Sequence, residues 1–281
     1  MFQRFSLKIL VYTNKINNRI QYTFKTVFQD FIGVELTVTS DKEMFLSHKG
    51  IKINYSKEEI VNSFHVYPHE ILFEGGIKDY PIQIVSHHQY KKTFFCTSKG
   101  KLPFDMFAAT FWLISRYEEY LPFKANKYNV FNFRASIAWQ NDFISLPIIN
   151  QWLRVFKQEL AKWNNEIVFP KIKSSIALTF DIDSVYKYKY KGLGRSLLGL
   201  LADLSKFDFK NISNRFQTLF LGKKDEYDCY DFLIEQFKKI DSKPIVFYLL
   251  GVYGLNDNNH PSNSKQFREL INHFSDYSHT G

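Results

Sequence analysis

Apolar positions recur along the first half of the chain with periods that separate strands from helices. Residues 5–12 form a mostly apolar run that reads as a strand. Asn17 or Asn18 then suits a helix cap, and Ile20, Phe24, Val27, Phe28 and Phe31 fall on one helical face. Gly33 is placed to end that helix. Residues 34–39 and the set Ile51, Ile53, Tyr55 alternate as strands do. A second helix is predicted over 103–120, with Pro103 in its first turn, Asp105 at the positive end of its dipole, and Phe104, Phe107, Ala108, Phe111, Ile114 and Ser115 inward. A third starts at Pro147, with Trp152, Leu153, Phe156, Leu160 and Trp163 on one face.

After residue 164 the pattern changes. Ile176, Ala177, Leu178 and Phe180 form a short apolar run around Thr179, as a buried parallel strand would, and the run stops on Asp181 and Asp183. Helical stripes follow at Leu197, Leu198, Leu201 and Leu204, then at Phe216, Leu219 and Phe220. Asp228 suits the cap of a helix facing inward through Leu233, Ile234, Phe237 and Ile240. Residues 245–250 read as a continuous apolar strand, and Ser264 opens a helix with Phe267, Leu270, Ile271 and Phe274 inward. The fold class is therefore α/β: an N-terminal α+β or α/β domain over 1–166, then over 167–281 the first strands and helices of a parallel βα barrel or sheet. The boundary lies within 164–174.

The acidic strand end carries the clearest candidate chemistry. Side chains at i and i+2 of a strand share a face, so Asp181 and Asp183 point the same way if the strand persists that far. Adjacent like charges are relieved by a cation or a shared proton, and sites in α/β folds gather at the carboxyl ends of strands. The same spacing also suits a strand that ends in a solvated acidic turn. In the following segment, 186–195, Tyr186, Tyr188 and Tyr190 alternate with Lys187, Lys189 and Lys191. Such rings can stack on sugar faces or on bases, or lie half-buried in a solvated loop.

Thr179-Phe180-Asp181-Ile182-Asp183 resembles the first motif of the polysaccharide deacetylases, metal-dependent carbohydrate esterases whose usual form is Thr-Phe-Asp-Asp. Here Ile182 is inserted before the second acid, a form found in a divergent bacterial branch. That branch carries an uncharacterised α/β domain in front, which the first half of this chain also resembles through Pro103-Phe104-Asp105-Met106 and the later Ser-Arg-Tyr-Glu-Glu-Tyr at 115–120. The resemblance implies a distorted (β/α) barrel and a hydrolase that removes acyl groups from an amino sugar or polysaccharide. It makes Asp181 the base, Asp183 a metal ligand, and zinc or another divalent metal the cofactor. The histidine ligands of that family have no counterpart read here. His260-Pro261-Ser262 comes before the helix that should precede such a motif, and the barrel is expected to be incomplete at Gly281. Weak metal binding and little deacetylase activity are expected of the chain as it stands. The alternative is a noncatalytic glycan-binding or scaffold protein that keeps part of the fold.

Composition changes this picture little. Hydrophobic residues make up 45% of 281, enough for a real core. The formal charge of +9 comes from scattered lysines rather than one stripe, which argues against nucleic acid as the partner. Cys96 and Cys229 form neither a disulfide framework nor a zinc spacing. No signal-peptide pattern or membrane-length apolar run is present, so the expectation is a cytoplasmic protein with a carbohydrate partner and no membrane. No Gly-rich loop follows the first strand, so dinucleotide binding is not expected. His65, His69, His87 and His88 read as ordinary surface or loop residues.

Overall fold

The computed structural model describes residues 7–170, 174, 176–240, 242–251 and 264–281. The chain divides into two compact units, Met1–Lys173 and Ser174–Gly281. Ile167 and Phe169 pack with the core of the first unit, so the division falls after them.

The first unit is built on a parallel sheet of order β2-β1-β3-β4, formed by Glu35–Thr39, Lys8–Thr13, Ile51–Tyr55 and Phe64–His65. Alternation along β1 sends Ile9 and Val11 to one face and Leu10 and Tyr12 to the other, and all four are buried. Helix α1 (Asn18–Phe24) contributes to the main core on the first face, while α2 (Lys42–Ser47) places Phe45 against Leu10 and Tyr12 on the second. Helices on both faces make this a doubly wound α/β arrangement. A hairpin of β5 (Val85–His87) and β6 (Lys91–Thr93) follows, then α3 (Met106–Ile114), the single turn α4 (Ile137–Gln140) and α5 (Ile148–Trp163).

Local chemistry explains most element ends. The Asn17 side chain accepts the Ile20 N–H and caps α1; Gly33 adopts the left-handed conformation that ends the segment. Between them Lys25–Ile32 is π-helical. Its wider turn carries Ile32 into the core at 1% exposure and leaves Phe31 at 39%, reversing the inward role that a 3.6-residue period assigns to Phe31. The helix predicted over 103–120 is shorter. It begins after Asp105, ends at Ile114, and Arg116 in a left-handed conformation starts a separate 3-10 turn at Tyr117–Tyr120. His65 is buried, with Nε2 2.9 Å from Ser56 O, and is not the surface residue that its sequence setting suggests. All four tryptophans, at 112, 139, 152 and 163, belong to this unit.

The second unit holds a three-stranded parallel sheet in sequence order, β7 (Thr179–Ile182), β8 (Ile245–Tyr248) and β9 (His279–Thr280). Between β7 and β8 lie α6 (Leu193–Ser205), α7 (Phe209–Phe220) and α8 (Tyr230–Phe237); α9 (Lys265–Ser275) joins β8 to β9. Val246 and Tyr248 face Ile234 and Phe237 of α8 and Phe267, Leu270 and Phe274 of α9, with Phe180 and Ile182 beside them. Both helices thus serve one face. The opposite face carries Thr179, Asp181 and Phe247, all exposed. The run before β7 is not a buried strand: Ile176 is 85% exposed and β7 starts only at Thr179. Apolar composition alone signals burial only where a second layer covers the strand. The helix after Asp228 is capped one residue later, at Cys229, without a side-chain bond. Ser264 does cap α9, its hydroxyl accepting the Phe267 N–H.

Candidate functional site

Asp181 is the third residue of β7 and pairs in register with Phe247 of β8; Asp183 follows the strand end. Alternation turns Phe180 and Ile182 into the core and leaves Asp181 and Asp183 exposed. Asp181 therefore stands on the side of the strand away from α8 and α9, and Asp183 is exposed in the bend just past its carboxyl end. Among the described residues neither carboxylate forms a hydrogen bond or ion pair with another side chain or backbone group. As far as the described residues go, their acceptor atoms are open to a ligand.

A catalytic zinc usually takes three protein ligands and keeps one position for water. No group of three or more His, Cys, Asp or Glu that could hold a metal occurs among the described residues. Two carboxylates on one strand face fall short of such a donor set, so the described residues do not by themselves fit a catalytic zinc. His260-Pro261-Ser262 lies outside the described residues. His273 sits on α9, 3.9 Å from Asp231, and His279 is exposed on β9.

The tyrosine-lysine segment after Asp183 is fastened down by one acid that the sequence did not single out. Asp225 is buried and accepts the backbone N–H groups of Lys187 (2.8 Å), Tyr188 (2.8 Å), Lys189 (3.0 Å) and Tyr227 (3.1 Å). Burial opposes its charge, but these four bonds prevail and hold its carboxyl below the usual range. Lys187 Nζ turns to Glu226 (2.6 Å) and Asn211 (3.1 Å). Tyr188 is buried, its hydroxyl on Asn211 and the Arg215 guanidinium over its ring. Tyr188 is thus a packing residue, not a stacking platform, and Lys187 is an internal anchor.

Tyr186 and Tyr190 remain at the surface of this segment. With Tyr230, Asp228, Asp231 and Glu269 they line a cavity of about 410 Å³ between the starts of α8 and α9. The Tyr186 ring stands edge-on to Tyr190 (4.9 Å) and to Tyr230 (6.1 Å). The Tyr230 hydroxyl donates to Val185 O, fixing that ring. Aromatic faces beside carboxylate acceptors suit a hydroxylated or amine-bearing ring.

The first unit answers the other candidates. Glu119 pairs with Arg116 at 2.5 Å within its own turn, and Glu118 Oε1 accepts the Ile137 N–H at 2.8 Å, so Glu118 ties the segment after α3 to the start of α4. Burial raises the Glu118 pKa. Asp105 is a more demanding residue. Oδ1 accepts the N–H groups of Phe107 and Ala108, both at 3.0 Å; Oδ2 accepts the Tyr55 hydroxyl at 2.7 Å and the His69 N–H at 2.6 Å. Burial still pushes its pKa up to about 6. The β1–α1 turn, where doubly wound sheets often take phosphates, is strapped by its own chain: Lys15 bonds Phe73 O, Asn17 bonds Leu72 O, and Arg19 bonds Ile71 O and Gly76 O.

A family profile described as a family of unknown function, DUF7033, matches residues 9–165, more than half of the chain. No curated protein matches the chain, and no solved structure does.

Proposed function

The chain belongs to the DUF7033 family, and on that premise we propose that its second unit carries the acidic strand end of a metal-dependent carbohydrate deacetylase, a hydrolase that removes acyl groups from an amino sugar or polysaccharide. The observation that carries this reading is the pair Asp181 and Asp183, both exposed at the carboxyl end of β7 with no partner among the described residues. The resemblance of Thr-Phe-Asp-Ile-Asp to the deacetylase motif implies the roles: Asp181 as the base that takes a proton from the attacking water, Asp183 as a ligand to zinc or another divalent ion. Parallel strands in sequence order, with both helices on one face, support an opening segment of a distorted (β/α) barrel. The first unit is then the uncharacterised α/β domain that precedes it.

With two carboxylates as its donors, the described site is expected to hold a divalent ion only loosely. Dialysis followed by metal analysis tests the reading. Substoichiometric metal that is lost in Asp183→Ala, with weak saturable zinc binding in titration, is the expected result. Zinc binding unchanged by Asp183→Ala removes the proposed role. The cavity lined by Tyr186, Tyr190 and Tyr230 favours a second reading, a noncatalytic glycan-binding protein, which predicts that chitooligosaccharides bind as well in the absence of metal as in its presence.

A further inference from the structure

Helices α6 and α7 form a hairpin that packs inside out. Arg215 of α7 reaches α6, where its guanidinium bonds Asp203 at 2.7 Å and lies against Gly199. The apolar stripe of α6 points away from this contact: Leu193, Leu197, Leu198, Leu201 and Leu204 are all exposed, Leu198 at 68%. On α7 Phe209, Phe216 and Phe220 are exposed as well, and the last two rings touch at 5.1 Å. No apolar residue of either helix joins a hydrophobic core cluster among the described residues. At the tip, Lys206-Phe207-Asp208-Phe209-Lys210, Phe207 holds a left-handed backbone conformation that an aromatic residue rarely adopts, with its ring outward. A contiguous apolar face of this kind marks an interaction surface.

Charge selects the partner. The hairpin, 193–220, carries Arg195, Lys206, Lys210 and Arg215 against Asp203 and Asp208, and Lys224 beyond it pairs with Asp228 and Asp231. Asp203 is spent on Arg215, and Asp208 caps α7 through the Asn211 N–H. Lys206 and Lys210 at the tip have no acidic partner among the described residues, so the tips of two copies repel each other whereas an anionic surface attracts them. We propose that the α6–α7 hairpin is a docking face for an anionic lipid bilayer. It lies in the interface plane, its leucines and phenylalanines entering the acyl boundary and Lys206 and Lys210 meeting the headgroup phosphates. Helices of 13 and 12 residues reach about 20 Å, short of a hydrocarbon core of about 30 Å, and no helix among the described residues is long and apolar enough to cross a membrane. The inference is independent of the deacetylase reading, since it uses none of the residues at the acidic strand end.

Cosedimentation of the full chain with vesicles of phosphatidylcholine and phosphatidylserine, against phosphatidylcholine alone, tests it. The chain is expected to pellet with the anionic vesicles and to be released by high salt. Leu197→Gln combined with Leu201→Gln should lower the partition coefficient by at least about tenfold and leave the thermal midpoint unchanged. Lys206→Gln with Lys210→Gln should lower it by about tenfold or more at low salt. Failure of the wild type to pellet overturns the proposal. So does pelleting that the leucine variant leaves intact, or a midpoint that falls by several degrees in that variant, which would place the stripe against protein.

Discussion

Helices cover both faces of the first sheet and only one face of the second. In the first unit Asp105, His65 and the Tyr55 hydroxyl are all buried, each with a named hydrogen-bond partner. In the second unit Asp181 stands exposed beside Phe247 on a face that no helix among the described residues of that unit covers, and Asp183 is exposed just past the strand end. Burial makes a carboxylate structural by giving every acceptor atom an internal donor, as at Asp105. Exposure at a strand end leaves acceptor atoms for something else to claim. The contrast locates stability in one unit and available chemistry in the other.

Truncation of the core should have the largest effect. Phe28 lies fully buried among Phe24, Phe107 and Phe156, so Phe28→Ala is expected to lower unfolding free energy by about 3–5 kcal/mol in urea titrations. Asp105→Ala removes the α3 cap and leaves the Tyr55 hydroxyl and the His69 N–H unpaired, at a cost of about 3 kcal/mol or more on the same measurement.

Asp105 also gives the contrast a pH signature. Its folded pKa of about 6 lies above the unfolded value, so the native state holds the proton more tightly. Below about pH 3.9 both states are protonated. As pH rises towards 6 the unfolded chain ionises first, and this residue's contribution falls by about 3 kcal/mol before levelling off. Stability of the wild type minus that of Asp105→Asn, followed from pH 4 to 7, should trace that decline; a flat difference would refute it.

The smallest effects belong to the second unit. Ile176→Ala should change stability by less than about 0.5 kcal/mol, because the side chain is already in water. Asp181→Asn and Asp183→Asn should leave the thermal midpoint unchanged or slightly raised, since each removes a like charge from the pair and breaks no internal bond. A marked loss of stability in either variant would show that the acids are structural, as Asp105 is.

Much of this architecture was legible where the physics is local. Asn17, Gly33 and Ser264 act through backbone groups within a few residues of themselves, and each marks the helix end that the sequence assigns to it; Asp105 does the same for a helix that starts three residues later than the sequence suggests. The outward placing of Asp181 follows from the strand period, whereas Asp183 lies one residue past the strand end, beyond the reach of that period. What lay outside that reach depends on distant partners. Phe31 and Ile32 exchange roles because the helix widens, and nothing in an apolar pattern states the turn size. Asp225 sits in a charged stretch that looks solvated, yet it organises a loop 36–38 residues earlier. The exposure of residues 176–178 reflects a missing second layer, which no strand can announce by its own composition.

The placement of the four tryptophans has a practical consequence. Indole emission excited at the red edge comes from the first unit alone, where Trp152 Nε1 donates to both Tyr90 O and Lys92 O and Trp112 is buried. Tyrosine signals must then carry the record of the second. A spectroscopist can therefore watch one half of the polypeptide melt without labelling it, and any indole colour shift on adding lipid or sugar would report the surroundings of a tryptophan in that half.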